Sequence, residues 1–424
     1  MVDEVIKSNP FTLGRGETYC RGCSGEKLFS ALDLGELPIA NELLLTPVSG
    51  IEKFPLHLRI CTDCGLGQVA DVVTPERIFR DYRYLSSMSS TFLKHASDFV
   101  TEQMESLSFL PSDWVLEIAS NDGYLLRNFL PHGVKAIGVE PAKNVAELSR
   151  SLGIETISEF FSSQLALELF HNYGFPKLII ANNVMAHVPD LIDFLNGLAV
   201  LCGPDTKISI ENPSLSNILM EMQFDTIYHE HYSYLSAFSV ANLSKLHGLS
   251  LFKVEQLAIH GGSNRYWLRK LTANSIVEDS VEKVISSENQ DGVFTPKSWV
   301  AYSEKVNEIL DKFYRWLSVS KSVNGKVYGY GAAAKASTIL NSIDIEPGLI
   351  LAIADLSPEK QKRFMPPCGI EIISLSELIS KEPTDIIIFP WNIKKEIARN
   401  LSQVLSPKTR LWCAIPFMHE VEFQ

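Results

Sequence analysis

From about residue 76 onward, short apolar runs alternate with segments in which apolar residues recur every three or four positions. The runs predict buried strands, and the segments between them predict helices. The predicted strands are DWVLEIAS, KAIGVEP, KLIIANNV and KISIENP, and the predicted helices are FLKHASDFVTEQMESL, GYLLRNFL, NVAELSRSLG and VPDLIDFLNGLAVLC. Such alternation is typical of a parallel sheet covered on both faces, whose ligands bind at the carboxyl ends of the strands.

A second series of the same kind follows. SVANLSKLHGL predicts a helix, and SLFKVEQLAI and SNRYWLRKL, separated by HGG, predict an antiparallel hairpin at the edge of the first sheet. The polar segment SSENQDGVFTPKS is the best linker candidate, or else one loop of a larger domain. Beyond it we predict the helix WVAYSEKVNEILDKFYRWLSV, the strand, turn and helix KVYGYGAAAKASTILN, and the strands LILAIAD, DIIIFP and RLWCAIP. The chain therefore contains two similar α/β units, without a sequence repeat.

Two identical cysteine pairs precede these units, Cys20 and Cys23 in YCRGCSG and Cys61 and Cys64 in ICTDCGLGQ. Glycine follows each C-x2-C pair closely and lets the chain curl around a metal, and four thiolates form the tetrahedral shell that zinc accepts. A redox pair would need a strand-to-helix turn, which neither pair has. We therefore predict one structural zinc ion in a closed site, in preference to chance pairs.

The bulk composition is globular: 46% of the 424 residues are apolar and 21% are charged, which allows two to three domains. A net charge of -12 argues against a nucleic-acid partner. No apolar run reaches about 18 residues and the N-terminus lacks the features of a signal peptide, so we expect a soluble, cytoplasmic protein without a membrane partner. A chain with several domains of its own is expected to work as a monomer.

Polar side chains follow the strands of the first unit. The turn EIASNDGYLL places Glu117, Asn121, Asp122 and Gly123 near a ligand, and Glu140 ends the next strand, where a carboxylate can bind both hydroxyls of a ribose. The turn lacks the full G-x-G-x-x-G spacing, so a compact cationic nucleoside such as S-adenosylmethionine fits better than a dinucleotide. Alternatively, these residues only permit positive φ angles and local caps.

The second unit offers a weaker ligand loop. YGYGAAAKAS presents Gly329 and Gly331 ahead of a helix start, where backbone amides and Lys335 favour a phosphate, and Asp355 ends the next strand. This pattern is a weak fingerprint for NAD. Small residues needed for close packing of helix on strand explain it equally well.

The segment DTIYHEHYSYLS is the strongest candidate for acid/base chemistry. HEH lacks the i, i+4 spacing of a helical metal motif, whereas a histidine beside a carboxylate can act as a base near neutral pH. In an extended segment His229 and His231 would share one face, with Tyr228 and Glu230 on the other; a helix or turn would break this partition. For any single histidine, a hydrogen bond to backbone is the default explanation.

Residues elsewhere in the chain extend this candidate site. His187 follows the strand that carries Asn182 and Asn183, so it can approach the same cleft. Tyr82 and Tyr84, in DYRYLSS, belong to a polar aromatic stretch that can fold over the site, although tyrosines of this kind more often serve packing.

These motifs together resemble the S-adenosylmethionine-dependent C-methyltransferases that methylate carbon 3 of nucleotide-linked 4-keto deoxysugars. The resemblance covers nearly the whole chain through the cysteine pairs, DYRYLSS, EIASNDGYLL, NNVMAHVPD, DTIYHEHYSYLS, HGGSNRYWL and YGYGAAAKAS, in that order. It implies an α/β protein with a zinc-knuckle domain (1–75), a class I, Rossmann-like methyltransferase domain (76–290) and a C-terminal Rossmann-like domain (291–424). The C-terminal domain would hold the nucleotide of the sugar, typically dTDP.

The resemblance also implies residue roles. His231 matches the general base, and Tyr228, Glu230 and His187 match its supporting groups. Either Tyr82 or Tyr84 matches a tyrosine near the sugar; we assign Tyr82 to catalysis and Tyr84 to the substrate. Arg265 and Lys335 are assigned to the substrate, Lys335 on its phosphate side. The residues assigned to the cofactor are Glu117, Asn121, Gly123, Glu140, Asn182 and Asn183.

Two places depart from the family pattern. Ala119 stands where EIGSNDG has glycine, which trims space near the cofactor, and ENPSL replaces a more apolar or aromatic stretch, which alters the fit of the sugar.

The implied chemistry is carbon methylation through an enolate. A ketone at carbon 4 acidifies carbon 3, so His231 can remove the proton while His187 and a tyrosine stabilise the oxygen. The enolate carbon then attacks the sulfonium methyl group. The alternatives are an O-methyltransferase, a zinc scaffold that binds nucleotides only as regulators, and a nicotinamide oxidoreductase.

Overall fold

The computed structural model describes residues 17–48, 50–70, 73–79 and 85–422. Its first sheet is antiparallel, with the order β1-β2-β3-β9. The strands are β1 (Leu28–Leu37), β2 (Phe54–Cys61), β3 (Gly67–Gln68) and β9 (Ser233–Tyr234), and a short helix α1 (Pro75–Phe79) follows β3. The fourth strand, β9, comes from the segment that contains YHEH. The N-terminal sheet is therefore completed by a part of the chain more than 160 residues away.

The central sheet has seven strands in the order β10-β11-β8-β7-β4-β5-β6. They are β4 (Trp114–Ile118), β5 (Lys135–Val139), β6 (Glu155–Ile157), β7 (Leu178–Asn182), β8 (Lys207–Pro213), β10 (Leu249–Leu257) and β11 (Ser263–Lys270). Strand β11 is antiparallel to both of its neighbours, as the predicted edge hairpin requires. The strand order reverses between β4 and β7, so a ligand crevice is expected at their carboxyl ends.

Among the described residues, seven α-helices lie between α1 and the C-terminal unit in the chain. They are α2 (Ser90–Ser106), α3 (Lys143–Ser151), α4 (Ser163–Tyr173), α5 (Leu191–Leu201), α6 (Leu215–Met220), α7 (Ala237–Leu246) and α8 (Asp279–Gln290). Strand β4 is buried along its whole length and α5 buries one face, which is why their apolar runs were readable from sequence.

Two predicted elements differ from the structure. GYLLRNFL forms short 3-10 turns at Leu126–Asn128 and Leu130–His132 in place of a helix, because Pro131 and the left-handed Gly133 end the segment early. The proposed linker SSENQDGVFTPKS begins inside α8 and ends inside the next helix, and Val293 within it is fully buried. That segment is a tight interhelical turn and not a linker.

The C-terminal unit forms a six-stranded sheet in the order β14-β13-β12-β15-β16-β17. Its strands are β12 (Val327–Tyr330), β13 (Ile353–Ala354), β14 (Ile372–Ile373), β15 (Asp385–Ile388), β16 (Arg410–Cys413) and β17 (His419–Glu420). Its helices are α9 (Pro296–Ser322), α10 (Ala334–Ser342), α11 (Leu375–Ser380) and α12 (Lys394–Ser402). The first five strands run parallel and β17 runs antiparallel. The predicted second α/β unit is confirmed.

One hydrophobic core joins the two ends of the chain. Leu32 and Leu58 of the N-terminal sheet, Phe313 of α9 and Ile353 of the C-terminal sheet belong to the same buried cluster. Packing of this kind holds the N-terminal domain against the C-terminal unit. Among the described residues, no helix combines the length and apolar character needed to cross a membrane.

Candidate active site

The four paired cysteines lie close enough together to bind one metal ion. Their sulfur atoms all lie within 4.8 Å of one another, with 3.5 Å between Cys20 and Cys64 and 3.7 Å between Cys23 and Cys61. A tetrahedral zinc site with Zn–S bonds of about 2.3 Å has sulfur atoms about 3.8 Å apart. The geometry fits zinc, and because four sulfurs fill the shell, the ion holds the fold together.

The chain follows a strained path at the switch point of the central sheet. Ala119 and Asn121, just after β4, and Asn183, just after β7, all have left-handed backbone angles, with φ of 56°, 49° and 53°. This conformation is unfavourable for non-glycine residues, and strained backbone of this kind clusters at ligand sites. At Ala119 the departure from the glycine of the family pattern thus affects backbone strain as well as space. Gly123, with φ 78°, is required by packing, since a Cβ there would come within 2.6 Å of Ile154.

Carboxylates line the same edge of the sheet. Glu140 accepts the backbone N–H groups of Asn121 at 3.0 Å and Ala142 at 2.9 Å, so it fixes the loop after β4. Burial and the charges of Asp122 and Glu140 raise the pKa of Glu117 well above its ordinary value. Burial of several carboxyl groups together disfavours their charged form, and a bound cation would stabilise it. This cluster is therefore suited to bind a cationic ligand.

Several buried oxygen atoms at this edge have no partner among the described residues: Glu117 Oε2, Asp122 Oδ1 and Asn182 Oδ1. Buried acceptors of this kind are expected to be satisfied by a ligand that carries donors and positive charge. The hydroxyl groups, amino group and sulfonium of S-adenosylmethionine meet that requirement. The residues present therefore fit this cofactor.

The YHEH segment forms a turn, not an extended strand. The N–H of His231 donates to the carbonyl of Tyr228 at 2.9 Å, so Tyr228 and His231 lie on the same side with ring centroids 4.0 Å apart. The alternating partition predicted for an extended segment is therefore broken. His187 joins the pair, with its ring centroid 4.7 Å from that of His231.

Hydrogen bonds define the protonation of both histidines. His231 Nδ1 lies 2.9 Å from the carbonyl oxygen of Thr226, and His187 Nδ1 lies 2.7 Å from that of Glu230. A carbonyl oxygen only accepts, so each Nδ1 carries a proton and each Nε2 of the neutral ring is a potential base. The hydroxyl of Tyr228 donates to His231 Nε2 at 2.8 Å.

Burial keeps both rings neutral. It lowers the pKa of His187 to about 4, opposed by the bond to Glu230. Burial, and then the repulsion that a protonated His187 would exert, lower the pKa of His231 well below its ordinary value. A neutral His187 has its single ring proton on Nδ1, which donates it to the Glu230 carbonyl. It is therefore better suited to accept a proton than to donate one to an enolate oxygen.

The other two members of YHEH face the N-terminal domain. His229 Nε2 bonds the carbonyl of Phe54 at 3.2 Å, which is the default role expected for a single histidine. Glu230, 2% exposed, accepts the backbone N–H of Asn41 at 3.0 Å and its side-chain amide at 3.1 Å, both on Oε1.

The C-terminal domain reaches the same segment from the opposite side. Trp391 Nε1 donates to Asp225 Oδ2 at 2.7 Å, and the Lys335 ammonium lies 4.0 Å from the centroid of the Trp391 ring and 3.2 Å from Asn392 Oδ1. Burial raises the pKa of Asp225 to about 6, and the charge of Lys335 opposes that rise. Lys335 also lowers the pKa of His231, after the larger effects of burial and His187, so its charge acts on the YHEH pair.

Arg265 lies in a buried ion network. Its guanidinium bonds Glu211 at 3.1 Å and Glu255 at 3.2 Å, and His95 Nε2 lies 3.0 Å from both oxygens of Glu211. This network braces β8, β10, β11 and α2, and the backbone oxygen of Glu211 accepts the N–H of Asn183 at 2.6 Å. The substrate role predicted for Arg265 stays a prediction.

Tyr82 and Tyr84 lie outside the described residues. The segment that follows them reaches the cofactor loop, because Ser86 N donates to Asn121 Oδ1 at 2.9 Å and Ser87 N to Asp122 Oδ2 at 3.2 Å.

The glycines of the second ligand loop have packing roles. A Cβ at Gly329 would come within 2.7 Å of Phe389, and one at Gly331 within 2.4 Å of Pro390. Asp355 accepts the N–H of Ala332 at 2.8 Å, as Glu140 does for Asn121, so both α/β units fix their first loop with a carboxylate at the end of the next strand.

Sequence reasoning missed several residues of the site. Thr226, Asn41 and Trp391 were not singled out, although two of them fix named members of YHEH and the third bonds Asp225. No local pattern marks them, since each matters only through a partner brought close by the fold. The first residue of the quoted segment, Asp225, was the available hint of a contact to another domain.

Comparison with known proteins matches all three parts of the chain. Family models for a zinc binding domain, a methyltransferase domain and a C-methyltransferase C-terminal domain match residues 20–79, 92–254 and 258–416. C-methyltransferase NovU of Streptomyces niveus is 30% identical over 400 residues, which cover 94% of this chain and 95% of NovU.

Solved structures of other methyltransferases are more distant. Magnesium protoporphyrin IX methyltransferase (ChlM) from Synechocystis PCC 6803, with bound SAM, is 13% identical with a TM-score of 0.33, over 46% of this chain and 88% of ChlM. The CcbJ methyltransferase from Streptomyces caelestis is 12% identical with a TM-score of 0.32, over 42% of this chain and 90% of CcbJ.

Proposed function

Because the chain belongs to the family of S-adenosylmethionine-dependent C-methyltransferases with an N-terminal zinc-binding domain, we propose that it methylates carbon 3 of a dTDP-linked 4-keto-6-deoxysugar. The observation that carries this proposal is the neutral His231, whose Nδ1 proton is committed to Thr226 and whose Nε2 is therefore the basic atom. An unprotonated ring nitrogen of histidine can accept the proton from a carbon beside a ketone.

The reaction begins with proton transfer. His231 Nε2 takes the proton from carbon 3, the electrons of that C–H bond form the enolate, and the negative charge moves to the oxygen on carbon 4. Substrate carbon 3 replaces the Tyr228 hydroxyl as the partner of Nε2, and the displaced hydroxyl then donates to the enolate oxygen. The charge of Lys335 adds to this stabilisation.

Carbon–carbon bond formation completes the reaction. S-adenosylmethionine, when bound, would supply an electrophilic methyl group on its sulfonium; the electron pair of the methyl–sulfur bond would stay on sulfur, which would leave as a neutral thioether. Glu117, Asp122 and Asn182 offer buried acceptors, without partners in the described part of the chain, that would hold the cofactor at the carboxyl ends of β4 and β7, and Glu140 would bind the ribose. These residues position the cofactor, and the enolate carbon of the sugar becomes the nucleophile.

The C-terminal unit is assigned to the nucleotide of the substrate. Its loop after β12 lies beside Lys335, which offers a positive charge for a diphosphate while remaining close to Asp225. Every group in this scheme comes from one chain, so we propose that the enzyme acts as a monomer in the cytoplasm.

The test is a mass-spectrometric assay with S-adenosylmethionine and an enzymatically generated dTDP-4-keto-6-deoxysugar in deuterated water. We expect a sugar nucleotide with a methyl group in place of the carbon-3 hydrogen. Without the methyl donor, we expect exchange of one deuterium into carbon 3. No methyl transfer to any of several dTDP-ketosugars, with zinc and cofactor bound, would contradict the proposal.

The family assignment decides among the earlier alternatives. It favours carbon methylation over O-methylation, and an enzyme over a binding scaffold or a nicotinamide oxidoreductase. A methyl group found on a sugar oxygen would still reverse the first of these choices.

A further inference from the structure

Several contacts connect the zinc-binding domain with the YHEH segment. Strand β3 pairs with β9, which puts Gly67 opposite Tyr234 and Gln68 opposite Ser233. The hydroxyl of Tyr232 donates to the carbonyl of Val73 at 2.7 Å. These contacts bring the loop after β1 against the buried side of YHEH.

Asn41, in that loop, makes the contact nearest to the histidines. Its backbone N–H and its side-chain amide both donate to Glu230 Oε1, at 3.0 Å and 3.1 Å. Glu230 is 2% exposed, and its other oxygen has no partner among the described residues. Asn41 thus supplies two hydrogen bonds to that carboxylate from another domain, in addition to the one from the backbone of Glu230 itself.

Glu230 in turn holds His187. Its backbone carbonyl accepts the Nδ1 proton of His187 at 2.7 Å, and His187 packs edge-on against His231. The orientation of the peptide at residue 230 therefore decides which nitrogen of His187 faces the site. A buried carboxylate without donors would turn toward solvent and carry that peptide with it.

We propose that Asn41 is a positioning residue for the His187–His231 pair, supplied by the zinc-binding domain. This inference rests on the proposed function, because it assigns a partner to the residues that carry the proton transfer. It also gives the zinc-binding domain a role in catalysis: the domain presents the donors that fix the acid/base loop.

The decisive experiment exchanges the hydrogen-bond donor at residue 41 and the acceptor at residue 230. Asn41→Asp places a second carboxylate 3.1 Å from Glu230 Oε1, so it replaces attraction by repulsion. In Asn41→Asp with Glu230→Gln, the new amide can donate to the new carboxylate, while the backbone N–H of residue 41 still donates to the amide oxygen. Asn41 is exposed, so these changes do not open a cavity in the core.

We expect Asn41→Asp to lower kcat by about 10-fold to 100-fold, the cost of losing a hydrogen bond to a charged group. KM for S-adenosylmethionine should stay within about twofold, because the carboxyl ends of β4, β5 and β7, which we call the cofactor edge, are not involved. The double variant should be faster than Asn41→Asp alone. Ser30→Ala is the matched control: it removes a surface bond to His57 in the same sheet and should leave kcat unchanged.

Two results would overturn the inference. One is a wild-type kcat for Asn41→Asp; the other is a double variant whose loss equals the product of the two single losses. Failure of the proposed function is recognised separately, because then the wild type itself would neither exchange deuterium at carbon 3 nor methylate it.

Discussion

The cofactor edge and the YHEH segment are built in opposite ways. At the cofactor edge, Glu140 and Asn121 are 19 residues apart, and they follow the neighbouring parallel strands β5 and β4. The YHEH segment has a strand of only two residues, and its fastening partners Asn41 and Trp391 lie 189 and 166 residues away from the residues that they bond. The residues of the first site lie close together in the sequence, whereas those of the second come from three domains.

This difference indicates which changes should impair cofactor binding and which should impair proton transfer. A site built on strand ends inherits the rigidity of the sheet, while a segment held by other domains depends on how those domains pack. Disturbing the packing should therefore damage proton transfer before it damages cofactor binding. The following changes test that separation.

The largest effect is expected for His231→Asn. The amide cannot accept the carbon-3 proton at neutral pH, so methyl transfer should fall by about 10²-fold to 10⁴-fold, the usual contribution of a general base. The dissociation constant for S-adenosylmethionine, measured by isothermal titration calorimetry, should hardly change. A rate close to the wild type would remove His231 from its role.

Zinc loss should come next. Cys64→Ser removes one of the four sulfur ligands, so the N-terminal sheet loses its metal and β3 no longer fixes β9. We expect kcat to drop by at least about 10-fold, since closed zinc sites contribute folding energy directly. Metal content by plasma mass spectrometry checks the loss of zinc, and Cys202→Ser, at a cysteine outside the cluster, is the control. If cofactor affinity fell as far as kcat did, the two regions would not be separable.

Glu140→Gln should produce the reverse pattern. The amide keeps the shape but loses the charge that accepts the N–H groups of Asn121 and Ala142, so cofactor affinity should weaken by about 10-fold. At saturating cofactor, kcat should remain within about threefold of the wild type. A collapse of kcat with unchanged affinity would contradict the local character of the cofactor edge.

The smallest effect concerns pH. A base with an ordinary histidine pKa of about 6.5 would lose about three quarters of its activity at pH 6. Because burial lowers the pKa of His231, the neutral form persists to lower pH, and kcat/KM should stay level from pH 7.5 to pH 6. A pH–rate profile in one buffer of constant ionic strength checks this. An acid limb centred at 6.5 would mean that the His187–His231 pair is solvated during turnover.

Much of the fold was readable from sequence because its signals are local. The buried β4 and the one-sided α5 follow from the spacing of apolar residues, and the cysteine pairs predict their own cluster. The missed α4 spans 11 residues and buries four of them, so its pattern was available to sequence reasoning. The missed β6 has only three residues, and Pro131 interrupts the pattern over GYLLRNFL, where a helix was wrongly predicted. In these last two segments the periodicity of apolar residues is weak, and packing against the sheet determines the local structure.

The sequence by itself determined the α/β class, the zinc ligands and the acidic cofactor edge, because each depends on residues close together in the chain. Only the tertiary structure decided that YHEH is a turn, that His187 and His231 carry their protons on Nδ1, and that Asn41 and Trp391 reach this segment from two other domains. Hydrogen bonds between residues far apart leave no periodic trace in the sequence. They exist only once hydrophobic burial has brought the domains together.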